Sequence, residues 1–530
     1  MSEKKQTFLH GTALLALSTA IVKLIGAFYS IPLKAIIGDQ GFGYYSTAYE
    51  IYTMLLMIST AGLPVAMSRM ISQASSLDNY RQLRKIYTVA RTIFLSLGLV
   101  GALLMTLLCK QLAVFQKQPD AWMCIAALGP SCFLICLMST FRGFFQGQSN
   151  MKPTSVSQVL EAATKLIVGL SLAFGLTWLY KNEALAASGA ILGVTTSCLV
   201  SSIYLFFRFR KSYRELPVGE DTAESGKTIA KTLLAIAIPI TIGSAGLQIL
   251  TVLETKIYMS QLLQFMSQDT ADTQKGIYNF IQKIFNMPCA FITPITISII
   301  PAITGLITVK DTKGAKATAE SSARVTALMA MPCTMGLLVL AEPVTALLGG
   351  YTGEKLVLAT NLMRVLAVCI MFNATVLLTN AIMQAYGHVN LPVINMFIGG
   401  ILKLGAVFIL TGNPRIGILG TPIGSLLCYV SITVLNLVTM RWVLKKDAPG
   451  ILKNMLRGFL AAAVMGAGTF GVWFGLKALG IGSRVILCAG PILVGVVIYV
   501  ICAVVFKAIT REDCLLLPKG DKIAKLLHLK

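Results

Sequence analysis

Long apolar stretches separated by short polar breaks run almost end to end along this chain. Hydropathy places them near 8–36, 42–75, 86–109, 121–146, 152–180, 184–207, 228–263, 277–307, 317–348, 357–386, 390–411, 416–440, 454–476 and 485–506. About 20 apolar residues carry a helix across hydrocarbon, so each stretch is long enough to span a bilayer. The pattern predicts an all-α, polytopic membrane protein of about 14 transmembrane helices. Too little sequence lies between the spans for a separate catalytic domain.

Composition changes the picture little: 55% of the 530 residues are hydrophobic and only 13% are charged, the balance of a membrane protein. The formal charge of +23 raises the question of a nucleic-acid partner, and its distribution answers it. With both termini assigned to the cytoplasm, 27 of the 45 Lys and Arg lie in or beside cytoplasmic segments and 8 in external loops. That asymmetry follows the positive-inside rule. The basic charge therefore reports topology in the cell membrane and contact with anionic membrane lipids, not nucleic acid. The first apolar run is too long for a cleaved signal peptide, so it is expected to remain as a span. The 12 cysteines form no CxxC pair, and His10, His388 and His528 lie far apart. No metal or cofactor is predicted from them.

The chain echoes itself. Tyr45-Ser46 through Glu50-Ile51-Tyr52 aligns with Tyr278-Asn279 through Lys283-Ile284-Phe285, and Ala90-Arg91 aligns with Ala323-Arg324, both at an offset of 233. Pro64-Val65 and Pro294-Ile295 fall at 230, Asn150 and Asn390 at 240, and Lys165-Leu166 and Lys403-Leu404 at 238. A near-constant offset that keeps charged positions points to a duplication. An even number of helices per repeat makes the halves parallel. The expected organisation is two pseudo-symmetric six-helix lobes at 1–210 and 228–445, a cytoplasmic linker at 211–227, and two extra helices with a cytoplasmic tail at 446–530. Spans 1 and 7 show no such alignment.

Ten charges lie inside the predicted spans: Lys23, Lys34, Glu50, Glu161, Lys165, Glu254, Lys256, Lys283, Arg364 and Lys403. A charge in hydrocarbon is costly and marks a path for something polar. Seven of the ten are positive, so a cavity they share suits an anion such as a diphosphate. Lys23, Lys34, Lys283, Arg364 and Lys403 are the candidate cargo contacts. Glu50, Glu161, Lys165, Glu254 and Lys256 are candidate gates or counter-ions. Plainer readings stand beside these. Glu161 and Lys165, four apart, can neutralise each other on one helix, and Lys34 can snorkel to the outer interface. Glu254 and Lys256, two apart, face different neighbours. Glu50 and Lys283, equivalent across the repeat and opposite in sign, can pair in one access state. Arg69, Arg91 and Arg324 lie towards cytoplasmic ends and read as anchors.

Pro32, Pro64, Pro239, Pro288, Pro294, Pro301 and Pro332 sit inside spans, where kinks serve either movement or packing. Ser225-Gly226-Lys227-Thr228 ends like a phosphate-binding loop, but Asp221 stands where the loop needs its first glycine. No enzyme is expected. Energy then comes from ions, substrate gradient or membrane potential; two negative charges moving outward gain roughly 4–5 kcal/mol per 100 mV.

Several segments, in order, resemble one family. They are Val22-Lys23-Leu24-Ile25-Gly26 through Ile31-Pro32-Leu33 to Ile37-Gly38-Asp39, then Ala61-Gly62-Leu63-Pro64-Val65-Ala66, Arg142-Gly143-Phe144-Phe145-Gln146-Gly147, and Leu517-Pro518-Lys519-Gly520-Asp521-Lys522-Ile523. The chain resembles the polysaccharide-biosynthesis and stage V sporulation protein B branch of the multidrug/oligosaccharidyl-lipid/polysaccharide exporter superfamily. The resemblance implies a flippase for undecaprenyl-diphosphate-linked saccharides, with lipid II, the peptidoglycan precursor, as first cargo and alternating access as mechanism. It implies that cations of spans 1, 2 and 8 receive the diphosphate, which falls on Lys23 and Lys283. Tyr29 stands at the family's next basic position in span 1, and Glu50 stands where span 2 would carry an arginine. Relatives that bind sodium do so through carboxylates of spans 7 and 11, and span 11 here carries Lys403 instead. Cell-wall synthesis enzymes are candidate partners. Two other classes compete: a cation-coupled multidrug exporter, which would prefer a net acidic cavity, and a non-transporting scaffold for cell-wall or sporulation enzymes, which needs no buried charge.

Overall fold

A backbone crossing hydrocarbon must satisfy its hydrogen bonds within itself, and an apolar run does so as a helix. The structure is a computed structural model that describes residues 2–217 and 222–508, with the backbone alone described at 2–17, 20, 23, 24, 27 and 294–298. The side chain of Lys23, part of the expected linker and the segment Leu517–Ile523 lie outside the described residues. Among those described, every regular element is helical. In order they are α1 (Ser2–Thr60), α2 (Leu63–Ser76), α3 (Tyr80–Leu107), α4 (Cys109–Phe115), α5 (Trp122–Gly147), α6 (Lys152–Tyr180), α7 (Glu183–Arg214) and α8 (Gly226–Leu262). There follow α9 (Gln268–Thr308), α10 (Thr312–Val339), α11 (Ala341–Gly349), α12 (Gly353–Ala385), α13 (Asn390–Thr411), α14 (Gly420–Leu444), α15 (Ile451–Ala478) and α16 (Arg484–Val505). The protein is an all-α polytopic membrane protein. Twelve stretches of the described residues are long and apolar enough to cross a membrane. The first, Phe28–Ser76, joins two spans that hydropathy separates, and α9 is not among the twelve.

Helix starts follow the caps the sequence offers. Asn79, Asn182, Ser225 and Asp311 each accept a hydrogen bond from the backbone N–H three residues on. Ser225-Gly226-Lys227-Thr228 is thereby the cap of α8 rather than a phosphate loop.

Three boundaries depart from the hydropathy reading. The break expected at 37–41 is a kink within α1 at Gly38, where φ 73° and ψ −173° suit glycine alone. The stretch expected at 42–75 breaks at Ala61–Gly62, and α2 restarts with Pro64 in its first turn, where no amide is required. The loop expected at 264–276 is mostly helix. Ser267 caps α9 by accepting from the Thr270 N–H at 3.4 Å, and Asp269 in the first turn suits the positive end of the helix dipole.

The chain divides into two compact units, Met1–Asn279 and Phe280–Lys530. In the first, small residues let backbones meet: a Cβ on Gly193 of α7 would strike the Gly169 backbone of α6. In the second, Ala315, Ala319, Ala323 and Ala327 form a buried four-residue stripe along α10. Met331 continues it, with Leu378 and Ile382 of α12 and Met455 and Ala462 of α15 in the same core.

Candidate functional site

The Gly38 kink organises the first unit. Turning the chain there leaves the Gly41 N–H to be satisfied from outside, and Glu183 at the start of α7 accepts it at 2.9 Å. Lys34 meets Asp39 at 3.2 Å, with both side chains largely buried. A Cβ on Gly276 would collide with the Asp39 carbonyl, so glycine is what lets α9 lie against the kink.

One turn along α9's approach, Lys275 is fully buried. Its ammonium donates to Thr47 Oγ1, Thr47 in turn donates to Gln118 Oε1, and Gln118 Nε2 donates to Asp272 Oδ1 at 2.8 Å. Gln268 Nε2 also reaches Asp272 Oδ1 at 2.9 Å, and the Tyr44 hydroxyl donates to Oδ2 at 3.2 Å. Cation and carboxylate thus end a directed chain of hydrogen bonds. Such a network offsets the several kcal/mol that burying each ion costs. Glu50 lies beside it, 3.9 Å from Lys275 Nζ, with Oε2 buried and making no hydrogen bond. Hydropathy counts Lys275 as an external-loop cation. The Ser267 cap was the available signal that the helix begins earlier.

The residue next to Glu50 leads to a second cluster. The Tyr49 hydroxyl accepts from Lys165 Nζ at 2.7 Å, and that ammonium lies 4.6 Å from the Tyr49 ring centre and 5.1 Å from that of Tyr29. Tyr45 packs against both tyrosines. Electron-rich ring faces attract the cation here. Glu161, four residues before Lys165, accepts from Arg142 Nη2 at 2.9 Å, while Arg142 Nε donates to Ser157. Tertiary neighbours, rather than helical spacing, provide these partners. In α8, Glu254 is buried and Lys256 lies 3.9 Å over the Phe115 ring, in keeping with two residues that point to different surroundings.

In the second unit, Lys283 of α9 and Arg364 of α12 are exposed, and Lys403 of α13 is half-buried. Asn373 of α12 donates to Cys289 Sγ of α9 at 3.2 Å. Asn436 of α14 is a polar hub: its amide nitrogen reaches Thr379 and Asn380 at 2.9 and 2.8 Å, and its oxygen accepts from Asn395 at 2.9 Å. Among the described residues no three His, Cys, Asp or Glu side chains gather to hold a metal ion.

Comparison with known proteins bears on the family and the fold. The family model described as polysaccharide biosynthesis protein matches residues 8–307. Stage V sporulation protein B of Bacillus subtilis (strain 168) is 25% identical over 528 residues, covering 97% of this chain and 98% of the relative. Lipid II flippase MurJ of the same organism is 24% identical over 412 residues, covering 75% and 76%. Among solved structures, lipid II flippase MurJ in an inward closed conformation gives a TM-score of 0.68 at 15% identity, covering 93% of this chain and 98% of that one. An inward-facing multidrug resistance MATE family transporter of the MOP superfamily gives 0.64 at 15% identity, covering 82% and 99%. At such identities the two structures speak for the fold: a transporter fold of many membrane-crossing helices.

Proposed function

The chain belongs to the polysaccharide biosynthesis protein family, and we propose that its cargo is an undecaprenyl-diphosphate-linked saccharide, lipid II first among them. As a flippase-type transporter of the multidrug/oligosaccharidyl-lipid/polysaccharide exporter superfamily, it moves this lipid from the inner to the outer leaflet by alternating access. Both termini lie in the cytoplasm.

Two mid-helix cations carry this reading. Lys283 stands 15 residues into α9 and Arg364 11 residues into α12, and both are exposed. At 1.5 Å per residue those positions are roughly 23 and 17 Å from the helix starts. A charge at that depth is too costly to face hydrocarbon. Water or an anionic group is what the exposed Arg364 side chain meets, and a diphosphate offers an arginine paired acceptor oxygens. Lys403 of α13 adds to the positive charge of the second unit. Glu50 serves as counter-ion and gate, held near Lys275 by charge rather than by a hydrogen bond, and so separable at modest cost.

The test is a translocation assay in reconstituted vesicles with defined precursors. Lipid II and a shorter undecaprenyl-diphosphate disaccharide are expected to cross, and an uncharged undecaprenyl lipid is not. Efflux of cationic dyes with no movement of either diphosphate lipid would favour the drug-exporter class and overturn the reading.

A further inference from the structure

In the first unit, α3 and α7 both pack on α5, and the three leave a groove of about 530 Å³. To its lining α5 contributes Phe133, Leu137 and Phe141, α3 Leu95 and Leu99, and α7 Phe206. At the end nearer the α3 start, the Tyr87 ring stacks on that of Phe209 of α7, with centres 4.5 Å apart. Leu99 and Leu103 of α3 and Ile203 and Phe206 of α7 are exposed, as on a surface turned to hydrocarbon.

One charge interrupts this apolar lining. Arg91 stands 11 residues into α3, roughly 17 Å from its start and as deep as Arg364 in α12. A cation at that depth, among exposed apolar side chains, is costly unless it meets a polar group. Its guanidinium lies 5.8 Å from the ring centre of Tyr87, one turn nearer the helix start. Arginine carries five N–H donors, more than one tyrosine can occupy. The three helices offer little counter-charge: α3 and α5 carry no acidic residue, and α7 has Glu183 in its first turn, at the end away from Phe206. Exposed Glu215 follows the end of α7. The chain before α8 meets α3 at Asn79 and Gln82, more than two turns nearer the helix start than Arg91. Thr92 and Ser96, also in the lining, donate to the carbonyls four residues back at 3.1 and 2.9 Å, so their protons are used within α3. What remains is a groove with one cationic end and an apolar length. From Arg91 to Leu99 it runs eight residues, roughly 12 Å, most of one leaflet of a hydrocarbon core about 30 Å thick.

We infer that this groove holds one anionic phospholipid, with its phosphate on Arg91 and an acyl chain along Phe133, Leu137 and Phe206. A phosphodiester offers the guanidinium paired acceptor oxygens, and basic pockets between membrane helices suit anionic headgroups. A zwitterionic lipid carries the same phosphate but brings a cation of its own, which Arg91 repels. The bound lipid touches α3, α5 and α7 at once and shares no residue with the proposed cargo contacts.

Purified full-length protein in detergent is titrated with dioleoyl phosphatidylglycerol or dioleoyl phosphatidylcholine, and bound lipid is counted by native mass spectrometry. R91Q removes the cation, S96F fills the groove without changing charge, and K313Q removes a cation elsewhere. All three replace exposed side chains, so folding should hold. The wild type is expected to bind phosphatidylglycerol at least fivefold tighter than phosphatidylcholine. That binding should weaken at least fivefold in R91Q and in S96F and stay unchanged in K313Q. Equal binding of the two lipids, or a loss in K313Q matching that in R91Q, overturns the site. Weakening in R91Q with none in S96F also overturns it, because surface charge without the groove would then account for the lipid.

Discussion

Lys275 Nζ stands 3.9 Å from Glu50 Oε2, and the lysine has no exposed surface while the glutamate side chain keeps 17% of its own. At that separation the two attract without sharing a hydrogen bond. Thr47 anchors the ammonium, so the glutamate is the partner able to leave.

Removing the cation from this pair is expected to cost stability. Lys275→Met should lower it by about 3 kcal/mol, because a carboxylate is left without its charge partner in a low-dielectric site. Glu50→Gln added to it should recover part of the loss. Thermal unfolding of the single and double variants checks this; a double variant no better than Lys275→Met would deny the coupling.

The Gly38 kink gives a second prediction. Gly38→Ala forces a side chain into backbone angles nearly reserved for glycine, at a cost of about 1–3 kcal/mol. Its new methyl would also press on the Glu183 carboxylate. Reduced yield of folded protein on size-exclusion chromatography is the expected result, and unchanged yield and stability would refute the strain.

Tyr49→Phe removes the hydroxyl that Lys165 binds at 2.7 Å and leaves the ring beneath the ammonium. A hydrogen bond to a charged group contributes about 1.5–3 kcal/mol. Denaturant unfolding should show a loss in that range. In the background of Lys165→Met the same substitution should cost far less.

In the second unit, Asn436→Leu breaks bonds to Thr379, Asn380 and Asn395 at once. Hydrogen bonds between membrane helices contribute about 0.6–2 kcal/mol each. Stability should fall while insertion stays normal, and a neutral Asn436→Leu would show that its partners readily find other bonds.

Much of this fold was legible in the sequence, because hydrocarbon selects for length and apolarity and each span carries that signature by itself. The cations Lys283 and Arg364 stood out for the same reason. What hydropathy missed depends on neighbours remote in sequence. Lys275 sits in a polar segment that reads as a loop, and its partner Thr47 is 228 residues away. Glu161 has a plausible partner one turn on in Lys165, yet its carboxylate goes to Arg142 on another helix. Gly38 was visible as a glycine, but nothing local announces Glu183, 142 residues from the Gly41 amide it satisfies.

The central claim is that mid-helix cations of the second unit receive an anionic diphosphate lipid. Lipid II translocation in vesicles by Lys283→Ala and Arg364→Ala, reconstituted at wild-type levels, tests it most directly. Each substitution is predicted to slow translocation at least tenfold, with Lys283→Arg retaining most of the rate. Undiminished translocation by both alanine variants would contradict the account.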